Sequence, residues 1–392
     1  MKSEPVLNAA TTEAERSLTA ALRERTAGCR PGESLNLSDL PRQDPYGGDA
    51  FAALARRYGA VEKEPGRWTM ERAPRWLPDW VTADHEPQCF DLFETAFGYR
   101  IDPRLWRWKY RDTPRPGMGA WRDGRLMAFY GAMPRRVLYR GQPASTVQIG
   151  DVMVHPTERG VMTRSGPFQI AASTFIDRSV GYGRPHLFGF GFPTDKALKV
   201  AQKLGLYAQV DQMTELTWPI KASWASGRLL RCKAVGPDDT ALLDTLWASM
   251  ARDFDDSIIG VRDADWVKAR YLAHPTIKYD ALVVRRLLGG APQGLIVLRR
   301  LEDGDGMELM DLIGPRRALP ALVEAARQWA ARKSARTLRA WITASHADAL
   351  ATAGAQRTPL DLMVPANVWS AGPSAEELRH RWWLMAGDTD FR

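Results

Sequence analysis

Apolar residues recur at Leu18, Ala21 and Leu22 in a stretch with acidic residues early and Gly28 past its end, which predicts a capped amphipathic helix. A polar stretch rich in turn formers (Arg30–Gly48) leads to a second helix, DAFAALARRYG, and then to a short strand, GRWTM. This order predicts a small N-terminal helical module over residues 1–72, winged-helix-like in its sequence of elements. Its second helix carries Arg56 and Arg57, and packing or docking suits that helix better than contact with nucleic acid. Pro74 and Pro78 mark the boundary.

From Arg75 onward the pattern becomes a long α/β alternation. WVTA reads as a strand, PQCFDLFETAFG as a helix ended by Gly98, and DPRLWRWKYRD as a helix with Pro103 just inside its start. Three strand-like runs follow, GMGAWRDG, RLMAFYGAMPRRVLYRG and STVQIGDVMVHP, the first two joined by the hairpin signal Asp123-Gly124. Phe168, Ala171, Ala172, Phe175 and Ile176 keep helical spacing behind Pro167, so PFQIAASTFIDRS is a helix. A strand (HLFGFGFP), a helix (TDKALKVAQKLGL) and a closing strand (YAQVDQMTELTWPI) complete a first block over 73–222. A second block over 223–392 repeats the order: helix, helix, three strands, helix, strand, helix. Lys109-Tyr110-x-x-x-Pro114 and Arg270-Tyr271-x-x-x-Pro275 occupy equivalent places in the two blocks, a weak repeat in letters but a matching one in element order. The fold class expected is α/β with two tandem mixed sheets.

Composition narrows the partners. The chain has 392 residues, 45% of them apolar, enough for two or three cored domains. Cys29, Cys89 and Cys232 are widely spaced, and the six histidines show no metal-ligand spacing, so neither a disulfide framework nor a metal site is expected. A polar, acidic N-terminus and the lack of a long apolar run lead us to expect a cytoplasmic protein without a membrane span. Lys and Arg exceed Asp and Glu by 54 to 46. That excess suits an anionic partner such as a nucleotide-bearing cofactor or an acidic carrier protein.

The chemistry concentrates in Ile149–Phe168, IGDVMVHPTERGVMTRSGPF, where a strand enters a loop bearing Arg159, Gly160, Arg164 and Gly166 and the loop opens a helix. N–H groups at a helix N-terminus attract anions, glycine allows close backbone approach, and arginine forks onto phosphate oxygens. A diphosphate is the natural guest.

In this stretch, and in GFPTDKALKVAQKLGL, the sequence resembles the GNAT superfamily of acyl-CoA N-acyltransferases, in element order from Trp80 to Ile220. The ending RWWLMAGDTDFR resembles the closing W-x-L-x-x-G-D-x-D of one GNAT group, and the second block looks like a degenerate copy. The fold implied is the α+β GNAT fold in tandem. The activity implied is direct transfer of an acyl group from acetyl-CoA or a longer acyl-CoA to a primary amine of a small molecule or peptide. The resemblance implies cofactor contacts from Met153, Val154, Arg159, Gly160, Arg164, Ser165, Gly166 and Phe168, with a backbone N–H near Met153 or Val154 polarising the thioester carbonyl. Asp151 is the expected base, since a strand pleat lets Asp151 and Met153 share a face. His186 is a second titratable candidate. The family's acidic tyrosine position holds Ala201, which makes Tyr207 the substitute acid. The next loop glycine is delayed from Gly160 to Gly166, a departure from the family pattern. In the second block Gly314-Pro315 removes an N–H from the corresponding turn, so the first block alone is expected to take the cofactor. Trp106, Trp108 and Trp121 fall where an acceptor cleft would lie, and Asp388 and Asp390 near the C-terminus are read as a solvated tail rather than as groups that reach over the site. An acyl carrier protein as donor, or a GNAT-like protein that binds without chemistry, are the alternatives.

Overall fold

The computed structural model describes residues 9–40, 50–159, 166–221, 230–287, 290–302, 304–351 and 354–391. The N-terminal module contains α1 (Ala9–Thr26), β1 (Ser34–Leu35), α2 (Ala50–Arg57), β2 (Ala60–Glu64) and β3 (Arg67–Met70), its strands ordered β1-β3-β2. Leu22, Leu37, Leu54, Tyr58 and Trp68 form its core. Arg57 does not face solvent for a nucleic acid: it pairs with Asp177 and donates to Ser173 Oγ at 3.2 Å, docking the module on the next unit.

The first α/β unit runs through β4 (Leu77–Val81), α3 (Glu86–Phe97), α4 (Pro103–Lys109), β5 (Gly117–Arg122), β6 (Arg125–Tyr139), β7 (Gln142–Val154), α5 (Pro167–Ser179), β8 (Phe188–Gly191) and α6 (Asp195–Lys203). Asp102 caps α4, accepting from Arg104 N at 2.8 Å, with Pro103 behind it. Both hairpins turn on paired left-handed residues, Asp123-Gly124 (φ 52° and 74°) and Arg140-Gly141 (φ 51° and 70°), the geometry that matches strand twist. The sheet carries α3 and α4 on one face, over Phe129 and Met153. On the other, α5 buries Ala172, Phe175 and Ile176 against Tyr130 and Val147.

The second unit follows a similar order. After β9 (Tyr207–Pro219) come β10 (Leu230–Ala234), α7 (Thr240–Asp253), β11 (Ile258–Gly260) and α8 (Ala264–Val267, continued by a π-turn over Lys268–Leu272). Then follow β12 (Asp280–Arg286), β13 (Pro292–Arg300), β14 (Gly306–Ile313), α9 (Leu319–Arg332), β15 (Thr337–Thr343), α10 (Ala347–Leu350), β16 (Gln356–Asn367), α11 (Ala375–Leu378) and β17 (Trp382–Trp383). Its sheet order is β10-β12-β13-β14-β15-β9-β16, while β11 and β17 add to the edge of the first sheet, where β11 pairs with β6.

The closing strands are exchanged. β9 pairs antiparallel with β15 through Met213–Pro219 instead of with β8. The reason lies in its apolar face: Val210, Met213, Leu216 and Trp218 belong to the second core. In return β16 lies beside β8, where Asn367 Oδ1 accepts from Gly189 N (3.1 Å) and Met363 N donates to Pro193 O (2.8 Å). β16 was not expected from the sequence. Its Pro359 and Pro365 interrupt a strand pattern, and each coincides with a register shift on the edge of the sheet, where proline is tolerated.

Candidate functional site

Strands β7 and β8 pair in parallel only from Thr146↔Phe188 to Ile149↔Gly191. Beyond that point they part. At the same place the β6–β7 register slips between Phe129 and Gly131, a β-bulge, and Asp151 takes φ 46°. Left-handed backbone is rare for a residue with a side chain and costs roughly 1–3 kcal/mol, so the surrounding structure must hold it there.

What holds it is a buried polar cluster. Lys109 Nζ lies 2.6 Å from Asp151 Oδ2 and 2.7 Å from Asp390 Oδ2, with the side chains only 5%, 9% and 9% exposed. Tyr110 OH donates to Asp151 Oδ2 at 2.9 Å, and Gln148 Nε2 donates to Asp390 Oδ1 at 3.1 Å. The last turn of α4 therefore delivers both Lys109 and Tyr110. Close approach requires glycine on both strands. A Cβ on Gly131 would stand 2.3 Å from Tyr110 OH, and one on Gly150 2.8 Å from Asp390 Oδ2.

Two carboxylates and one ammonium leave this pocket negative. Burial, together with Asp390, holds the Asp151 carboxyl above the ordinary carboxylate range despite Lys109. Burial works against the Lys109 ammonium, but Asp151 and Asp390 together outweigh it and hold its pKa above the usual lysine value. Burial and Asp151 raise the Tyr110 phenol, and burial pushes the neighbouring Cys89 thiol up to about 12, so both stay protonated near neutrality.

The second unit contains a counterpart. Tyr271 OH donates to Asp311 Oδ2 at 2.8 Å, as Tyr110 does to Asp151, and β14 also slips register on β13, between Val297 and Leu298. β14 and β15 likewise pair only from Gly306↔Thr337 to Leu309↔Ala340. That gap is filled by the chain's own C-terminal segment: Met385 bridges Ile342, Leu384 O accepts from Thr343 N (3.1 Å), and Thr343 Oγ1 donates to Trp382 O. Arg262 pairs with both Asp311 and Asp388, while Arg270 donates to Gly387 O (2.8 Å) and Thr389 O (3.0 Å). The segment leaves the second unit and ends on the first, with Asp390 on Lys109 and Phe391 against Phe192 (6.3 Å between rings).

The residues expected from the sequence fall as follows. Asp151 and Met153 both meet α4, Met153 deep in the core, while Val154 and Phe168 pack on the α5 side. Arg159 donates to Val154 O (3.1 Å) and Ala96 O (2.9 Å), fastening the strand end to α3. Gly166 is the N-cap residue of α5, with Pro167 after it. Gly160, Arg164 and Ser165 lie outside the described residues. Tyr207 opens β9, in register with Asn367, and burial raises its pKa. His186 is not brought to Asp151. It sits 2.9 Å from Ser145 Oγ, six residues back along β7 and so roughly 20 Å away. There it borders a cavity of about 30 Å³ with Trp80, Arg115 and Phe175, and burial lowers its pKa to about 4. Trp106 packs in the core; Trp108 reaches the second unit, donating to Ala269 O at 2.8 Å; Trp121 is buried beside His85. Sequence reading missed Lys109 and Tyr110 as site residues, although the lysine–tyrosine and arginine–tyrosine echo between blocks marked both. Asp388 and Asp390 are buried members of clusters, not a solvated tail.

Among the described residues no helix is long and apolar enough to cross a membrane, and no group of His, Cys, Asp and Glu could hold a metal ion. Residues 79–166 match the family described as acetyltransferase (GNAT) domain. No curated protein matches the sequence. Among solved structures, the fold is similar to a probable N-acyltransferase from Enterococcus faecalis V583 (16% identity, 78% of this chain and 73% of that one, TM-score 0.59). It is also similar to GCN5-related N-acetyltransferases from Anabaena variabilis ATCC 29413 (13%, 76% and 73%, 0.56) and Kribbella flavida (15%, 74% and 70%, 0.53). At these identities the likeness establishes the fold.

Proposed function

For a chain built on the GNAT fold and carrying a GNAT acetyltransferase domain, we propose transfer of an acyl group from acetyl-CoA or a longer acyl-CoA to a primary amine of a small molecule or peptide. The observation that carries this reading is the coincidence of three features at one point. The β7–β8 splay, the bulge in β7 and the buried Asp151 carboxylate all meet there.

The residues fit such a donor. Two strands that part leave main-chain edges free to take a pantetheine arm. Gly189 in β8 has only ordinary contacts around a hypothetical Cβ, while Gly191 would press on Ile149 O at 2.8 Å. A donor bound there supplies an activated thioester carbonyl. A backbone N–H of the Met153–Val154 stretch is assigned to polarise it, and the N-terminal end of α5, with Gly166 at its cap, is assigned to the diphosphate.

Asp151 takes a proton from the acceptor's ammonium, and the neutral amine so formed attacks the thioester carbonyl. The raised pKa of Asp151 brings it nearer the amine's own than an exposed aspartate would be, which eases the transfer. Lys109 and Tyr110 fix the carboxylate's direction. A C–N bond forms, the C–S bond breaks, the new amide nitrogen sheds its remaining extra proton to solvent, and the thiolate leaves with a proton. Tyr207, kept protonated by burial and placed beside β8 through Asn367, is assigned to give that proton. The second unit is read as a degenerate copy that binds no donor, because its splay already holds the segment from Trp382 to Asp388.

The test is direct. Calorimetric titration with acetyl-CoA and longer acyl-CoAs should show one site per chain, and thiol release over a panel of primary amines should identify the acceptor class. A purely binding role, which Ala201 in the family's tyrosine position would suit, predicts donor binding with no thiol release.

A further inference from the structure

The C-terminal segment does two jobs at once. Asp388 is held by Arg262 of the second unit and lies 3.4 Å from Arg135 on β6. Two residues on, Asp390 enters the first unit's cluster through Lys109 and Gln148. Between them the backbone is clamped by the buried guanidinium of Arg270, which takes the carbonyls on either side of Asp388. Gly387 permits this path, since a Cβ there would fall 2.0 Å from Tyr271 OH and 3.0 Å from Met310 O. The splay of the second unit has thus been converted from a groove into a holder.

We propose that Asp390 is a positioning residue for the Asp151 base, acting through Lys109, and that Arg270 of the second unit sets its place. This rests on the acyltransferase reading above. Lys109 has two carboxylate partners at nearly equal distances, so its charge is shared between them only while Asp390 is present. Without Asp390 the whole Lys109 charge acts on Asp151 and lowers the proton affinity of the base. The groups facing Asp151 are Lys109 and Tyr110 on α4, Cys89 on α3 and Asp390 from the C-terminal segment. Of these, Asp390 alone adds negative charge.

The experiment compares the full-length parent with Asp390→Asn, Asp390→Glu and Arg270→Gln. Donor affinity is read by calorimetry, kcat against pH by thiol release, and the Lys109 titration by NMR of protein labelled with 13Cε-lysine. We expect Asp390→Asn to bind acyl-CoA within twofold of the parent, to lose about 10- to 100-fold in kcat as for a misplaced group, and to move the acidic limb of the profile to lower pH. Lys109 should titrate at lower pH than in the parent. Arg270→Gln should reproduce both pH shifts, and Asp390→Glu should restore most of the rate. An unchanged pH profile and Lys109 titration in Asp390→Asn would overturn the proposal, even if Arg270→Gln fails to fold. A parent that binds no acyl-CoA, by contrast, overturns the underlying acyltransferase reading before any variant is compared.

Discussion

Replacing Lys109 with methionine removes the one ammonium that two buried carboxylates share. Methionine fills similar space, so the loss is chiefly electrostatic. Asp151 and Asp390 approach Nζ to 2.6 and 2.7 Å, so without it their oxygens face each other across at most about 5 Å. At an effective dielectric of about 20, unit charges at that separation repel by about 3 kcal/mol, and uncompensated buried charges generally cost about 3–5 kcal/mol. Lys109→Met should therefore lose about 3 kcal/mol in urea unfolding at pH 8. The pH dependence has a definite sign. Burial and Asp390 already hold the Asp151 pKa above its unfolded value, and losing Lys109 raises it further. The variant's deficit then develops as pH rises from the unfolded aspartate value of about 4 toward the raised folded pKa, is full above it, and disappears below both. Asp151→Asn is the contrast, because Lys109 keeps Asp390 as its partner and Tyr110 can still donate to the amide oxygen; its cost should be on the order of 1 kcal/mol. Equal stability of Lys109→Met and Asp151→Asn at pH 8, or a Lys109→Met deficit that does not change with pH, would rule out a shared ammonium as the source of the loss.

Asp151→Asn should leave acyl-CoA affinity nearly intact while lowering kcat by roughly 10²–10⁴, the worth of a positioned base; recovery at high pH, as solution deprotonates the amine, separates lost base chemistry from misfolding. Gly387→Ala should cost about 1–3 kcal/mol and lower kcat together, because the added methyl collides with Tyr271 OH and drives the C-terminal segment out; thermal unfolding and thiol release check both. His186→Ala should leave the pH profile above pH 5 unchanged, since His186 titrates at about 4, and should lose about 1 kcal/mol with its Ser145 hydrogen bond; a shifted profile would bring His186 into the chemistry.

Local signals carried much of the fold. Pro167 and the apolar spacing behind it marked the start and the inner face of α5, and Asp123-Gly124 marked its hairpin, because each depends on a few neighbouring residues. The prolines of β16 hid a strand for the same reason: local propensity argued against what an edge position permits. The site was half legible. Asp151 stood out on the strand before the loop, but regular alternation gave no hint of the bulge, which arises from pairing with β6. Lys109, Tyr110 and Asp390 meet only after α4 and the C-terminal segment have docked from 42 residues before and 239 residues after Asp151, so no spacing in the sequence announces their company.

The exchanged strands bind the two units into one folding problem. During synthesis β9 emerges with its apolar edge formed, yet β15, its partner, follows roughly 120 residues later, some 6–24 s at ordinary elongation rates. Over that interval both β8 and β9 present unpaired strand edges of the kind that recruit other chains. Neither half can complete its sheet alone, so severing the chain between them would yield two sticky fragments rather than two domains. Long-range pairing of this kind also makes for slow assembly.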